Sequence, residues 1–192
     1  SVINYFSLFA SLGIPTYGIR ACAKIRNDEE KLNRTVIELL LINGLLVIIS
    51  YIVFAITIFA VPEFKANINV LLIQSSAIIL NALGVEWFYQ AIEQYEYITI
   101  RNVLFKIISL VLMFIFVHSP KDLLIYSGIY VIGTVGSNVI NIIRLPKLIS
   151  FHKISIKHKD LQQHIKPILM LFLYNAATQI YTNLDTVMLG FM

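Results

Sequence analysis

Six long apolar runs limit what this chain can fold into. They cover residues 1–19, 36–61, 67–85, 103–117, 123–143 and 167–192. A helix of about 20 apolar residues crosses a hydrocarbon core of about 30 Å, and it satisfies its own backbone hydrogen bonds within lipid. The runs are continuous, without the alternation of a membrane β-strand. We therefore predict an all-α fold, a polytopic membrane helical bundle, whose short fourth run spans only if the Lys106 ammonium reaches the interface.

Composition excludes several other classes of protein. The chain is 58% apolar and 14% charged, outside the range of soluble domains. Its net charge of +4 is distributed between the apolar runs rather than along one stripe, so we expect no nucleic-acid partner. The single cysteine, Cys22, allows neither an internal disulfide nor a thiolate metal cluster. There is no Gly-rich phosphate loop for ATP, and since both ends fall within apolar runs we interpret the chain as a fragment of a longer protein.

The basic residues predict an orientation. Lys65 and Lys121 lie in the second and fourth loops, whereas the odd loops contain Arg20, Lys24, Arg26, Lys31 and Arg34, then Arg101 and Lys106, then Arg144, Lys147, Lys153, Lys157, Lys159 and Lys166. The positive-inside rule places the odd loops in the cytoplasm and residue 1 on the outer side. Residues 144–166 are basic with interspersed apolar residues, so we predict a linker at the anionic inner leaflet.

Polar residues recur along single faces of several predicted helices. The recurring sets are Asn43, Ser50 and Thr57; Gln74 and Asn81; Asn4, Ser7 and Ser11; Ser137 and Asn141 with Tyr126 and Tyr130; and Asn175, Thr178, Gln179, Thr182 and Thr186, with Asp185 at their border. Such stripes either form interhelical hydrogen bonds or line a hydrated cavity. Stripes on several helices of one bundle favour the cavity.

Ionisable residues within or beside the spans leave alternatives open. Asp185 is a proton, cation or sugar-hydroxyl site, or a structural pair. Arg20, Arg101 and Lys106 contact a substrate phosphate or only set topology. Glu86 is a gate or a salt-bridge partner of Arg101. Glu38 follows Thr35 by three residues, which predicts a capping box. His152, His158 and His164 lack metal-ligand spacing and are predicted to be solvated.

Residues 84–101 read GVEWFYQAIEQYEYITIR, and their mixture of aromatic and charged side chains is typical of a membrane–water interface. We predict that they form an elbow joining two spanning helices. With PTYGIRACAKIR at 15–26 and YTNLDTVMLG at 181–190, this segment resembles the polysaccharide-transporter family of lipid-linked oligosaccharide flippases. That family is part of the multidrug/oligosaccharidyl-lipid/polysaccharide exporter superfamily. The resemblance implies helices two to seven of twelve to fourteen in a bacterial plasma membrane. It also implies that residues 144–166 link the N-terminal lobe to a second lobe.

The resemblance implies a flippase that carries a polyprenyl-diphosphate-linked oligosaccharide for surface polysaccharide biosynthesis. Expected partners are this lipid, membrane lipids, the missing C-terminal lobe and polysaccharide polymerase machinery. No metal or cofactor is expected, and proton or cation coupling is left open. The candidate substrate-binding residues are Arg20, Arg101, Lys106, Asn175, Gln179, Thr182 and Asp185; the candidate cavity or gate residues are Asn43, Ser50, Gln74, Asn81, Glu86, Ser137 and Asn141. The alternatives are a cation-coupled multidrug exporter and a membrane glycosyltransferase or polymerase, although short outer loops leave little room for an outside active site.

Overall fold

The structure is a computed structural model that describes the backbone of residues 2–61, 64, 68–150 and 158–191. Side chains are described in the same ranges except at residues 2, 158–159 and 179–191. The described residues form helices joined by short turns, and none of them lies in a strand. This confirms the predicted all-α bundle.

The helices follow one another with few intervening residues. They are α1 (Val2–Ser11), α2 (Ile14–Lys24), α3 (Glu29–Ala60), α4 (Ile68–Leu83), α5 (Glu86–Ala91), α6 (Tyr95–Phe116), a 3-10 turn (Pro120–Asp122), α7 (Leu123–Val131), a π-helical segment (Ile132–Gly136), α8 (Asn138–Leu148) and α9 (His158–Phe191). α1 packs against α3 and α4, α2 against α3 and α5, and α4 against α7. α9 contacts α2 and α3.

Four stretches of the described chain are long and apolar enough to cross a membrane: Glu29–Ala60, Ile68–Ala91, Tyr95–Phe116 and Pro120–Leu148. The first predicted run is instead divided between α1 and α2, because Leu12 has a left-handed φ of 45° and interrupts the helix. The helix that contains the fourth predicted run is longer than that run, since α6 begins at Tyr95 rather than at 103 and has 22 residues. A helix of this length can span the membrane even if the Lys106 ammonium does not reach the interface.

The start of α3 differs from the prediction. Asp28 is its N-cap, and the Asp28 carboxylate accepts a hydrogen bond from the Lys31 backbone N–H at 3.1 Å. Hydrogen bonds from Lys31 hold the pKa of the Asp28 carboxyl below its usual range. The predicted capping box at Thr35 and Glu38 is therefore wrong, because both residues lie inside α3, past its first turn.

Two apolar clusters hold the bundle together. One surrounds Phe54 and Ile78 between α1, α3 and α4; the other surrounds Phe88 and Leu39 where α2, α3 and α5 meet. By contrast, large apolar side chains such as Phe59 on α3 and Phe114 on α6 are about three-quarters exposed. Faces this apolar are unstable in water, which agrees with a multi-pass membrane protein surrounded by lipid.

Candidate functional site

Two adjoining polar clefts lie between the helices. The distal cleft has a volume of about 340 Å³, and its polar lining residues are Asn4, Ser7, Ser11, Gln74, Asn81, Tyr130 and Thr134. The elbow cleft has a volume of about 400 Å³, and its polar or charged lining residues are Asn81, Glu86, Trp87, Gln90, Asn102, Lys106, Thr134 and Asn138. The clefts share Asn81, Thr134 and Val135. The two clefts therefore adjoin each other at α4 and the π-helical segment.

Local breaks in the helices shape the elbow cleft. Gly84 ends α4, and the next residue, Val85, has a left-handed φ of 40° and precedes α5. A Cβ on Gly84 would lie 2.4 Å from the Asn138 Cγ, so only glycine allows α8 to approach this closely. Asn141 Nδ2 also donates to the Gly84 carbonyl at 2.7 Å. The break thus turns α5 away from the axis of α4 and fixes it against α8.

The aromatic residues at the start of residues 84–101 are buried within the protein. Trp87, Phe88 and Tyr89 are at most 4% exposed and belong to the apolar cluster beneath α2. The Trp87 ring packs so closely on Gly18 of α2 that a Cβ there would lie 2.4 Å from Cε3. α2, α3 and α8 cover the three rings.

Asn141 connects this segment to α8. The Tyr89 hydroxyl donates to the Asn141 carbonyl oxygen at 2.9 Å, and the Tyr97 hydroxyl donates to Asn141 Oδ1 at 3.0 Å. The Arg144 guanidinium lies 4.1 Å from the centre of the Tyr97 ring, a favourable cation–π geometry. Asn141 is fully buried in this network. It therefore holds the elbow cleft in shape without lining it.

Charges at the elbow cleft are arranged around Arg101. Arg101 is 3% exposed, and its Nη2 donates to Glu86 Oε2 at 2.7 Å and to Asn102 Oδ1 at 3.0 Å. Of the two roles left open for Glu86, the salt bridge to Arg101 is the one observed. Ser137 Oγ donates to the same Asn102 oxygen at 2.9 Å. Lys106 is exposed and lines the cleft.

Two buried polar atoms of the elbow cleft residues have no hydrogen-bond partner within the described part of the chain. They are the Trp87 indole Nε1, a donor, and the Asn138 Oδ1, an acceptor. Gln90 Nε2 lies 3.4 Å from Glu86 Oε1, which is a weak hydrogen bond. With amide, hydroxyl, carboxylate and ammonium groups around one cavity, the cleft offers both donors and acceptors to a polyhydroxylated or anionic ligand.

The other candidate residues lie in different surroundings. Asn43 Nδ2 donates to the Ala82 carbonyl at 2.5 Å, and Ser50 Oγ donates to the Phe6 carbonyl at 3.1 Å, so both connect helices rather than line either cleft. Ser137 also does not line them. Arg20 is exposed on α2, and Asn175 is half-buried on α9. The side chains of Gln179, Thr182 and Asp185 lie outside the described residues.

The structure also contains a buried series of hydrogen-bonded side chains that was not predicted from the sequence. Tyr17 on α2 contacts His164 Nδ1 at 2.8 Å, and His164 Nε2 contacts Glu38 Oε2 on α3 at 2.7 Å. Arg34 Nε donates to the second Glu38 oxygen at 2.9 Å, and Arg34 also pairs with Asp160. His164 is 5% exposed, so the prediction of a solvated histidine is wrong: α9 continues into the bundle and presses this ring between α2 and α3.

The sequence contained only a partial indication of the site residues Asn102 and Asn138, and none of the pairing of Glu38 with His164. Asn102 and Asn138 directly follow two candidates, Arg101 and Ser137, but periodicity did not place them on a common face. Glu38 and His164 are 126 positions apart, and no local pattern pairs them.

Comparisons with known proteins agree with the sequence resemblance. A family model described as "Polysaccharide biosynthesis protein" matches residues 1–192. A curated protein of Shigella dysenteriae named "Putative O-antigen transporter" is 26% identical over 191 residues, covering 100% of this chain and 48% of that protein. The chain thus spans about half the length of that relative. No solved structure matches significantly.

Proposed function

Because the chain belongs to the polysaccharide biosynthesis protein family, we propose that it is part of a flippase that moves a polyprenyl-diphosphate-linked oligosaccharide across the membrane. The chain spans about half the length of the relative that it matches, so the activity and substrate of a whole protein are parts of the proposal. The observation that supports it best is the pair of adjoining clefts, whose linings contain amide, hydroxyl and charged side chains. Polar side chains lining clefts between apolar helices can form hydrogen bonds to a hydrophilic cargo.

The residues that line the two clefts suit both the glycan and the diphosphate of such a cargo. Sugar hydroxyls both donate and accept hydrogen bonds, as do the side chains of Asn81, Gln74 and Thr134 in the distal cleft. The diphosphate needs a cation, and Lys106 offers an exposed ammonium at the elbow cleft. Glu86 does not repel the phosphate fully, because its charge is balanced by Arg101.

We further propose that the elbow end faces the cytoplasm, as the distribution of basic residues predicts. The diphosphate then binds first at Lys106, the glycan extends toward the distal cleft, and the polyprenyl tail stays in lipid. Alternating access comes from rocking of this lobe against the second lobe of the longer protein. On this basis, Asn175, Gln179, Thr182 and Asp185 of α9 remain candidate glycan contacts.

Transport by the full-length protein tests the proposal. Proteoliposomes receive a fluorescent lipid-linked oligosaccharide, and a membrane-impermeant quencher reports the fraction in each leaflet. Loss of a charge-assisted contact of about 1.5–3 kcal/mol should slow translocation by Lys106→Gln about tenfold or more. The matched control is Lys121→Gln, in the exposed 3-10 turn that follows α6.

Two results would refute the proposal. One is a wild-type rate no higher than that of protein-free vesicles. The other is an equal rate for Lys106→Gln and Lys121→Gln, which would exclude the elbow cleft as the diphosphate site.

A further inference from the structure

A third cleft, which we call the rim cleft, lies where the start of α3 meets the ends of α5 and α8. Its volume is about 640 Å³, within the range of about 300–1,000 Å³ that small-molecule sites occupy. The described residues that line it do not line the distal or elbow cleft, so it is a separate site. Its polar or charged lining residues are Arg26, Glu29, Asn33, Lys147 and Ser150.

The rim cleft lies where spanning helices end. The stretch Glu29–Ala60 begins at it, and the stretches Ile68–Ala91 and Pro120–Leu148 end at it. A spanning helix leaves the hydrocarbon core near its end, so a cleft between three such ends is at the level of the lipid headgroups. The positive-inside rule predicts that these headgroups belong to the inner leaflet.

The rim cleft also has an apolar part. Leu32 and Phe88 line it, are at most 8% exposed and belong to the apolar cluster where α2, α3 and α5 meet. Leu148 lines it as well and is about one-third exposed. A small polar solute gains little from such side chains, whereas the glycerol and first acyl carbons of a phospholipid bury apolar surface against them.

The charges that line the rim cleft have both signs. Arg26 forms a salt bridge with Glu93, so its charge is already balanced. Glu29 and Lys147 are exposed, and neither forms an ion pair within the part of the chain that the structure describes. The cleft therefore offers one carboxylate and one ammonium to a ligand. This pair complements a headgroup that carries both a phosphate and a cation, rather than a purely anionic one.

The carboxylate favours a particular kind of cation. A primary ammonium has N–H groups that donate charge-assisted hydrogen bonds to a carboxylate, whereas a quaternary ammonium has none. We propose that the rim cleft binds a phospholipid with a primary-amine headgroup, of the phosphatidylethanolamine type, whose phosphate meets Lys147 and whose ammonium meets Glu29. Asn33 and Ser150 offer further hydrogen-bond donors to the phosphate oxygens.

This inference goes beyond the proposed function. It assigns a lipid that stays in its leaflet to a site outside the two clefts proposed for the cargo. It depends only on the membrane location of the protein, so a failure to transport lipid-linked oligosaccharide would leave it standing.

Native mass spectrometry of the full-length protein in detergent tests the rim cleft. The protein is titrated with dioleoyl phosphatidylethanolamine, phosphatidylcholine or phosphatidylglycerol, and the dissociation constant of each lipid is measured. The second lipid lacks the N–H donors and the third lacks the cation. We expect wild-type protein to bind phosphatidylethanolamine about three- to fivefold more tightly than either, the size of effect that an exposed ion pair produces.

Variants locate the preference in the rim cleft. Glu29→Gln should remove the preference for phosphatidylethanolamine, and Lys147→Gln should weaken all three lipids about three- to fivefold, because all three carry a phosphate. The matched controls are Glu30→Gln and Lys24→Gln, at exposed positions that do not line the cleft, and both should keep the wild-type constants.

Three results would overturn the inference. Equal wild-type constants for the three lipids would do so without the need for any variant to fold. A preference that persists in Glu29→Gln would place the lipid elsewhere. Competition by soluble glycerophosphoethanolamine at the same concentration as the lipid would show that the cleft binds a free zwitterion instead.

Discussion

Gly18→Ala should loosen the packing beneath the elbow cleft. The added Cβ would lie 2.4 Å from Trp87 Cε3 and 2.8 Å from Cδ2, closer than van der Waals contact allows. Trp87 is 4% exposed and packs edge-on against Phe88, so its rigid ring has little room to move. Overpacking of this kind costs about 1–3 kcal/mol, and the gain in helix propensity from glycine to alanine returns at most about 1 kcal/mol. We expect a net loss of about 1–2 kcal/mol.

The matched control is Gly44→Ala in α3. No atom lies within 4 Å of a Cβ added at Gly44, so the change should add only helix propensity, about 0.5–1 kcal/mol of stability. The two glycine substitutions should therefore differ by about 2 kcal/mol in the free energy of unfolding, with opposite signs.

Trp87 itself provides the assay, because it is the only tryptophan among the 192 residues. In the full-length protein, any other tryptophans are replaced by phenylalanine, and unfolding is followed by fluorescence as denaturing detergent is added to mixed micelles. Gly18→Ala should lower the unfolding midpoint and shift the native emission to the red as water reaches the indole. If it unfolds within about 0.5 kcal/mol of Gly44→Ala and its emission is unchanged, α5 is not seated on α2 as described.

Three further changes test other parts of the structure. Glu86→Gln should destabilise the fold by about 1–3 kcal/mol, because it leaves the buried Arg101 without its counter-ion. The loss is smaller than for a fully buried pair, since Glu86 is partly exposed. The control Glu96→Gln removes an exposed carboxylate and should change thermal unfolding little. Asn43→Ala should cost about 1 kcal/mol in detergent unfolding, because the carbonyl at the end of α4 loses its donor, and no loss at all would contradict the observed bond. Asp28→Asn should keep the helix cap but remove a pH dependence of stability. The pKa of the Asp28 carboxyl is lowered in the folded state, so the carboxylate stabilises the fold above its unfolded-state pKa. This stabilisation is lost as pH falls through the folded-state pKa. An acid-dependent melting temperature equal to that of the wild type would exclude this cap as the cause.

Residues that look alike in sequence have different roles in the structure. Asn43, Asn81 and Asn141 all lie in polar stripes, yet Asn81 lines both clefts while the other two bind backbone carbonyls of neighbouring segments. Periodicity shows which residues share a face of one helix, but it does not show whether that face meets a cavity or a backbone. The distinction depends on how near the next helix comes.

The sequence by itself determined the all-α membrane architecture, because apolar runs of this length have few other ways to satisfy their backbone in lipid. It also distinguished residues 84–101 from the apolar runs by their aromatic and charged side chains, and it offered Glu86 and Arg101 as a possible salt bridge. Only the tertiary structure decided that Trp87 is buried and that Glu38 meets His164, 126 residues away. The physical reason is that burial and pairing depend on which helices approach one another, and a contact between distant segments leaves no periodic trace in either segment.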